Sequence, residues 1–417
     1  METGEEAVDT LRGEVESYVR QQVALGDLPY ATIVEETVYH LGDEADRDVV
    51  VPLAREVAAR ELTAHLAAQA QWPEVTDNDR LTLAFRALDI AGIVARENFA
   101  CCQNCGLGEI GDEVADGDQP RGYTFYHQQD AERGAEGAGL YLGYGLFNQP
   151  PSVEIGEEVA AALRDHDVPV KWDGSTGSRI FVPLTWRRRR YGRFAALPST
   201  VDDDVPVEVA VLDAWRGPFA LTDDTVPASW LTGLHLPWLP AGIRVRLTID
   251  GVSTTVRRDW DTLVADGPDG TEIRVGRRDG MALVRLLRTA ATSGPQPRAE
   301  AVPEPEPEVG LVEATWEHRA GGQFRAIPLE AAEAVAALRR MPVRTGAWAC
   351  FVGRSGRVVQ VRWEQGRLWL ETPDPQTQTS VGRHVSLPEA ERMVSTLAVE
   401  DRVAVNELGD LTTVRWG

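Results

Sequence analysis

Three of the chain's four cysteines fall within five residues, in Phe99-Ala100-Cys101-Cys102-Gln103-Asn104-Cys105-Gly106. Cys102-x-x-Cys105 has the bite of half a zinc site, because two thiolates at that spacing can share one soft ion. The pair of cysteines or histidines that usually forms the other half is absent. Downstream, Gly122-Tyr123-Thr124-Phe125-Tyr126-His127-Gln128-Gln129-Asp130 ends in an imidazole and a carboxylate. Cys102, Cys105 and His127, with Cys101, Asp130 or Glu109 completing the shell, would make a catalytic-type zinc site with an open fourth position. Zinc is the expected cofactor of that reading, and His127, Asp130 and Glu109 are its candidate acid–base groups.

The same residues admit other chemistry. A CxxC where a strand meets a helix N-terminus depresses a thiol pKa, as in thioredoxin-like redox proteins, although the proline that such a fold places before a later strand is missing. Packing needs no chemistry at all: the cysteines then sit as small apolar side chains under a tight turn. Zinc deaminases use a histidine, two cysteines and a glutamate, but their H-x-E…P-C-x-x-C order is not found. Gly106-x-Gly108-x-x-Gly111 copies a dinucleotide fingerprint, yet Asp116-Gly117-Asp118-Gln119-Pro120 ends the helix too early for one. His127-x-x-Asp130 reads as a base with its orienter, or as a strand end followed by Asp130 capping a helix. Neither G-x-S-x-G nor H-E-x-x-H occurs.

Composition narrows the classes. The net charge of −23 opposes broad binding to nucleic acid or anionic membrane and leaves solubility or a basic protein partner. Of 42 basic residues only Lys171 is a lysine, so lysine nucleophiles and P-loop lysines are excluded elsewhere. No apolar run approaches a membrane span, and the acidic start, Met1-Glu2-Thr3-Gly4-Glu5-Glu6, argues against a secretory signal. The expected location is the cytoplasm.

The elements that must position these groups follow from periodicity. Residues 1–75 read as a helical N-terminal region, with apolar spacing at Val8, Leu11, Val15, Val19 and Val23, a second helix through Ile33 and Val38, and a third from about Val50 to Gln71. Residues 76–195 alternate helix and strand. Asp77-Asn78-Asp79 caps a helix carrying Leu81, Phe85 and Leu88, Ile93 to Phe99 is a strand, and a short helix is expected around Glu109 to Val114. Strand 122–128, helix 130–136, strand 139–144, helix 154–166 and a hairpin around Asp173-Gly174 complete an α/β domain. Arg187 to Arg190 read as a solvated strand end.

The second half carries an internal repeat. Leu212-Asp213-Ala214-Trp215 answers Glu313-Ala314-Thr315-Trp316, and Pro268-Asp269 answers Pro373-Asp374. Val275-Gly276-Arg277 answers Val381-Gly382-Arg383, with offsets drifting from 101 to 106 residues. This gives tandem α+β units at 206–292 and 310–417, joined by a Pro/Glu linker at 293–309 that is too charged and proline-rich to bury a core. The tryptophans of the last unit read as core. The fold class is thus α+β and α/β, multidomain.

Four motifs together carry a resemblance: Phe99-x-Cys101-Cys102-x-x-Cys105-Gly106-x-x-Glu109-Ile110, Gly122-Tyr123-x-Phe125-Tyr126-His127-x-Gln129-Asp130, Leu140-Tyr141-Leu142-x-Tyr144-Gly145, and Trp172-Asp173-Gly174 with Arg179-Ile180-x-Val182. Over about residues 77–190 the chain resembles an uncharacterised family of high-GC bacteria, catalogued as a domain of unknown function. The resemblance implies that the cysteine loop and the His127 segment belong together, and implies no activity. The acidic, tryptophan-bearing repeats are similar in style to immunity proteins that neutralise toxins. The leading expectation is therefore a non-enzymatic, immunity-like interaction protein with an acidic surface for a basic protein partner. The alternative is a zinc-dependent enzyme or thiol redox protein using Cys102, Cys105 and His127.

Overall fold

The computed structural model describes residues 4–42, 46–150, 152–215, 221–267, 271–293, 305–317 and 326–416. Among them are eleven α-helices and three sheets, an α+β multidomain architecture. The chain forms two compact units, one made of residues 1–190 with 336–347 and 362–369, the other of the remainder.

In the first unit, helices α1 (Gly4–Leu25), α2 (Tyr30–His40) and α3 (Arg47–Gln69) pack through the periodic apolar stripes. Val15, Val19, Ile33, Val57 and Leu62 are fully buried. Helix α4 (Asp77–Ile90) is capped by Thr76, one residue before the expected Asp77-Asn78-Asp79 cap: its hydroxyl accepts from the Asp79 N–H while the Asp79 carboxylate accepts from the Thr76 N–H. There follow β1 (Ile93–Arg96), α5 (Gln103–Glu109), β2 (Gly122–Phe125), α6 (Gln128–Ala135), β3 (Leu140–Gly145), α7 (Val153–Asp165) and β4 (Ile180–Val182). The sheet order is β1-β2-β3-β4, with β1 and β2 parallel and the other pairs antiparallel. The expected hairpin around Asp173-Gly174 survives as a single bridge between Lys171 and Phe181.

The period-2 alternation of β1 sorts its side chains. Ile93 and Ala95 join Leu81, Phe85 and Leu88 of α4 and Ile155, Val159 and Leu163 of α7 in the main core. Val94 faces the other way and, with Phe125 and Ile110, makes a smaller core beside α5. Ions are buried here as well. Asp89 of α4 accepts from Arg86 at 2.6 Å and from Arg96 at 2.8 Å, and Arg96 Nε donates to Glu113 at 2.7 Å.

The Arg187–Arg190 run is a strap along the helices and not the solvated strand end that its composition suggested. Trp186 Nε1 donates to the Ala24 carbonyl at 2.8 Å, Arg188 pairs with Asp27 at 2.9 Å, and Arg190, 1% exposed, donates to the Val23 carbonyl at 2.8 Å. Gln69 closes the other side, donating to the Arg190 carbonyl at 3.0 Å. Guanidinium groups have enough donors to satisfy several helix-end carbonyls at once, which is why the run can be buried.

Beyond residue 190 the chain forms two larger antiparallel sheets. The first has β5 (Pro206–Val211), β6 (Asp224–Pro227), β7 (Arg244–Ile249), β8 (Val252–Asp259), β9 (Thr262–Asp266) and β10 (Glu272–Gly276), in the order β10-β9-β8-β7-β5-β6. Helix α8 (Ala228–Trp230), continued by a π-helical turn over Leu231–His235, lies between β6 and β7, and α9 (Gly280–Ser293) follows β10. The other sheet uses β11 (Leu311–Glu317), β12 (Ile327–Glu330), β13 (Trp348–Val352), β14 (Val358–Glu364), β15 (Arg367–Asp374), β16 (Thr379–Val385) and β17 (Thr412–Arg415). Read from β16, its order is β16-β15-β14-β13-β11-β12, the first sheet's order strand for strand, with β17 added on the edge. Helices α10 (Ala331–Arg340) and α11 (Leu387–Glu400) occupy the matching places after β12 and β16.

Of the sequence matches, Pro268-Asp269 lies outside the described residues, as does 294–304 of the linker. The described end of that linker is held. Both Glu308 carboxylate oxygens accept from Arg277 at 2.5 Å, and the Glu308 N–H donates to Asp261 at 2.6 Å.

Candidate metal centre

Parallel pairing of β1 with β2, in register from Ile93↔Gly122 to Arg96↔Phe125, makes both strands leave the sheet at one edge. The exits stay tied. The Phe99 N–H donates to the Tyr126 carbonyl at 2.9 Å and the Gln128 N–H to the Ala100 carbonyl at 3.1 Å. Between these bonds the first exit turns through two left-handed residues, Asn98 at φ 48° and Ala100 at φ 59°. Asparagine adopts that region readily. Ala100 holds it at a cost of roughly 1 kcal/mol, set against the bond its carbonyl accepts.

That turn delivers the cysteines to the start of α5, with Cys102 as the N-cap residue. The helix begins six residues earlier than the sequence suggested, and the expected segment around Glu109 to Val114 is largely a 3-10 turn, Ile110–Glu113. The sulfurs of Cys101, Cys102 and Cys105 all lie within 4.8 Å of one another. Cys101 is exposed and the other two are part-exposed, so the thiols are not the packed core residues of the chemistry-free reading.

Their electrostatics are asymmetric. The N–H of Cys105, followed by its thiol and the N–H of Asn104, stabilises a Cys102 thiolate and draws its pKa below the ordinary thiol value. Cys105 is pushed up to about 12, first by its hydrogen bond with Cys101 and then by that with Cys102, since neighbouring sulfurs oppose a second negative charge.

Gly106 sets how close α5 comes to the sheet. A Cβ there would stand 2.4 Å from Phe125 Cε2, and Phe125 is fully buried. Gly106→Ala should therefore cost about 1–3 kcal/mol through overpacking. It should also lift Cys105 away from Cys101 and Cys102, read as a drop in urea midpoint together with weakened metal binding. An unchanged midpoint would mean that the helix rides freely on Phe125.

His127 is placed in a second group, beside the thiols in the chain path but outside the set of mutually close ligand atoms. It is the N-cap of α6, so the helix starts before Asp130 rather than at it. Its Nδ1 accepts from the Asp130 N–H at 3.3 Å, which leaves the ring proton on Nε2, 2.9 Å from Asp130 Oδ2. Burial lowers the His127 pKa, with the Asp130 charge opposing and Arg179 adding to the fall. With both ring nitrogens engaged inside the protein, His127 has no free lone pair for an ion. Glu109 closes α5 on its exposed side.

Asp130, 1% exposed, also accepts from Arg179 Nη1 at 2.8 Å, and the same nitrogen lies 3.3 Å from Gln103 Oε1. The register explains how Arg179 arrives. Phe125 faces Gly143 and Leu142 faces Ile180, so position 179 comes level with the end of β2. Its guanidinium also lies 4.9 Å from the Tyr141 ring centre. Arg179 and Gln103 were not singled out as site residues from the sequence. Both lie in or beside the recurrent motifs, but only the stagger of β3 against β4 brings them together.

Residues 8–190 match the model of a family described as Domain of unknown function (DUF6891). The match begins inside α1, so it takes in the three N-terminal helices as well as the motif-bearing sheet. No curated protein and no solved structure matches the chain.

Proposed function

We propose that residues 8–190 form a thiolate metal-binding domain in which Cys101, Cys102 and Cys105 hold a thiophilic ion, zinc first among them. The observation that carries this reading is the mutual approach of three accessible sulfurs within 4.8 Å. Zinc–sulfur bonds of about 2.3 Å in a tetrahedron place sulfurs roughly 3.8 Å apart, so small rotamer changes suffice. Three thiolates leave one position for water or an outside ligand, the arrangement that catalytic rather than closed structural sites use. His127, Asp130, Arg179 and Gln103 then act as a supporting frame, since Gln103 directly follows Cys102 and is anchored by Arg179. Free thiols fit a reducing compartment, and among the described residues no helix is long and apolar enough to cross a membrane. The direct test is elemental analysis of the purified chain, with Co2+ substitution read as sulfur-to-metal charge-transfer absorption. A metal-free protein that takes up no Co2+ while Cys102 and Cys105 oxidise to a disulfide in glutathione buffer would replace this reading with the redox one.

The net charge of −23 supports a second role, an immunity-like interaction with a basic protein partner. The shared strand order of the two large sheets supports reading 206–292 and 310–417 as tandem related units that would present that surface. Partner capture from the source cell should then fall steeply above physiological salt, where screening shortens to about 8 Å. Retention that does not change between 50 mM and 500 mM salt would sink the electrostatic role.

A further inference from the structure

The three thiols are gathered around one helix turn. Cys101 and Cys102 stand immediately before the first residue of α5, and Cys105 is its third residue. Cys102 and Cys105, three positions apart, share a face of that turn. The Gly106 N–H donates to the Cys102 carbonyl at 2.9 Å and closes it, while the Gln128 N–H holds the Ala100 carbonyl at 3.1 Å. The loop is thus tied to rigid elements before any ligand arrives. The sulfurs lie within 4.8 Å of one another, and among the described residues no imidazole nitrogen or carboxylate oxygen joins them. His127, the imidazole of the accompanying motif, engages Asp130 with both ring nitrogens.

Donor count then decides which ion the trio completes. Zinc takes four ligands, so three thiolates leave it one donor short and leave the group with one negative charge. A trivalent ion with a lone pair needs three donors on one side and none opposite. Three thiolates satisfy its valence and cancel its charge. The lone pair needs no protein partner, which suits a cluster in which Cys101 is exposed and Cys102 and Cys105 are part-exposed. Arsenic(III) has that electron count, and its soft character selects thiolate over oxygen and nitrogen donors.

We propose, resting on the three-thiolate reading of the domain, that trivalent arsenic, taken up as arsenous acid, is the ion for which Cys101, Cys102 and Cys105 form a complete site. Each thiol hydrogen leaves with one arsenic-bound hydroxide as water. Three As–O bonds break, three As–S bonds form, and neither sulfur nor arsenic changes oxidation state. Zinc and arsenic compete for the same sulfurs, and arsenic leaves no position for an outside ligand.

Native mass spectrometry of the reduced full chain, titrated with sodium arsenite, tests this. The adduct should gain one arsenic and lack three hydrogens, the signature of three As–S bonds. The same arsenite should displace bound Co2+ and abolish its sulfur-to-metal band. Cys101→Ser, Cys102→Ser and Cys105→Ser should each lower arsenite affinity at least about tenfold and give an adduct that keeps one hydroxide. Cys350→Ser should match wild type, and an equal loss there overturns the assignment. If arsenite binds through two sulfurs, or not at all, while Co2+ still binds, the arsenic assignment falls and the zinc reading stands. If neither binds, both fall. The adduct mass is read on the unaltered chain, so misfolding of a variant cannot mimic it.

Discussion

Cys102→Ser should weaken zinc or Co2+ binding by at least about 100-fold, close to 2.7 kcal/mol, and remove the charge-transfer band. Serine keeps the size and the capping position but replaces a thiolate with a hydroxyl that stays protonated, so the change tests ligation rather than packing. Cys101→Ser and Cys105→Ser should behave alike, because all three sulfurs belong to one mutually close set. Cys350→Ser should do nothing: that thiol belongs to β13, outside the first unit's cluster, where burial raises its pKa and Gln360 contacts its sulfur. The pH dependence has a definite sign. Cys105 is held at about 12, so at neutral pH it must surrender a proton for the ion to bind. Affinity should rise with pH by about tenfold per unit for each proton released, and uptake should acidify a weakly buffered solution. Without metal, the lowered Cys102 should react with a disulfide reagent before Cys105 does, since thiolate is present above the pKa. Metal affinity identical in wild type and all three serine variants would remove the centre.

The sequence carried the cysteine cluster and the strand-to-helix alternation because both are local. Spacing at Leu81, Phe85 and Leu88 marks a helix face, and CxxC marks a potential bite, whatever lies elsewhere. The departures arise where distant partners decide. Arg187 to Arg190 look like a solvated run until the carbonyls of Val23, near the end of α1, and Leu28, in the loop that follows, are brought to Arg190. His127 looks like a metal ligand until α6 folds Asp130 back onto both of its nitrogens. The start of α5 is hidden in the sequence because glycines at 106 and 108 oppose a helix by propensity, whereas in the fold Gly106 lets the helix approach Phe125 closely. Arg179 could have been reached only through the offset of β4, which no single-segment pattern encodes.

Asp89→Ala should destabilise the first unit by about 3–5 kcal/mol, the largest expected effect of any single change outside the thiols. The Asp89 side chain is 2% exposed and neutralises Arg86 and Arg96, whose side chains are 5% and 9% exposed. It also accepts the Ala95 N–H at 2.8 Å, which fixes β1 against α4 and hence the edge from which the cysteine loop departs. Alanine would strand two guanidinium groups away from water. Arg96 would keep Glu113, whereas Arg86 would retain only neutral carbonyl acceptors such as that of Ala95. Replacing the partner as well should restore part of the loss. Asp89→Leu/Arg86→Met leaves the Arg96–Glu113 pair intact and removes the stranded Arg86 charge, while the Ala95 N–H and the Arg96 contact to position 89 stay lost, so the recovery should be partial. Hydrogen exchange of peptides spanning 81–125 in the full chain reads the effect where it is expected and separates it from unfolding of the second unit. If Asp89→Ala left those amides protected to within about 1 kcal/mol of wild type, the ionic network would not hold β1, and the placement of the cysteine loop would have to rest on the hydrophobic core alone.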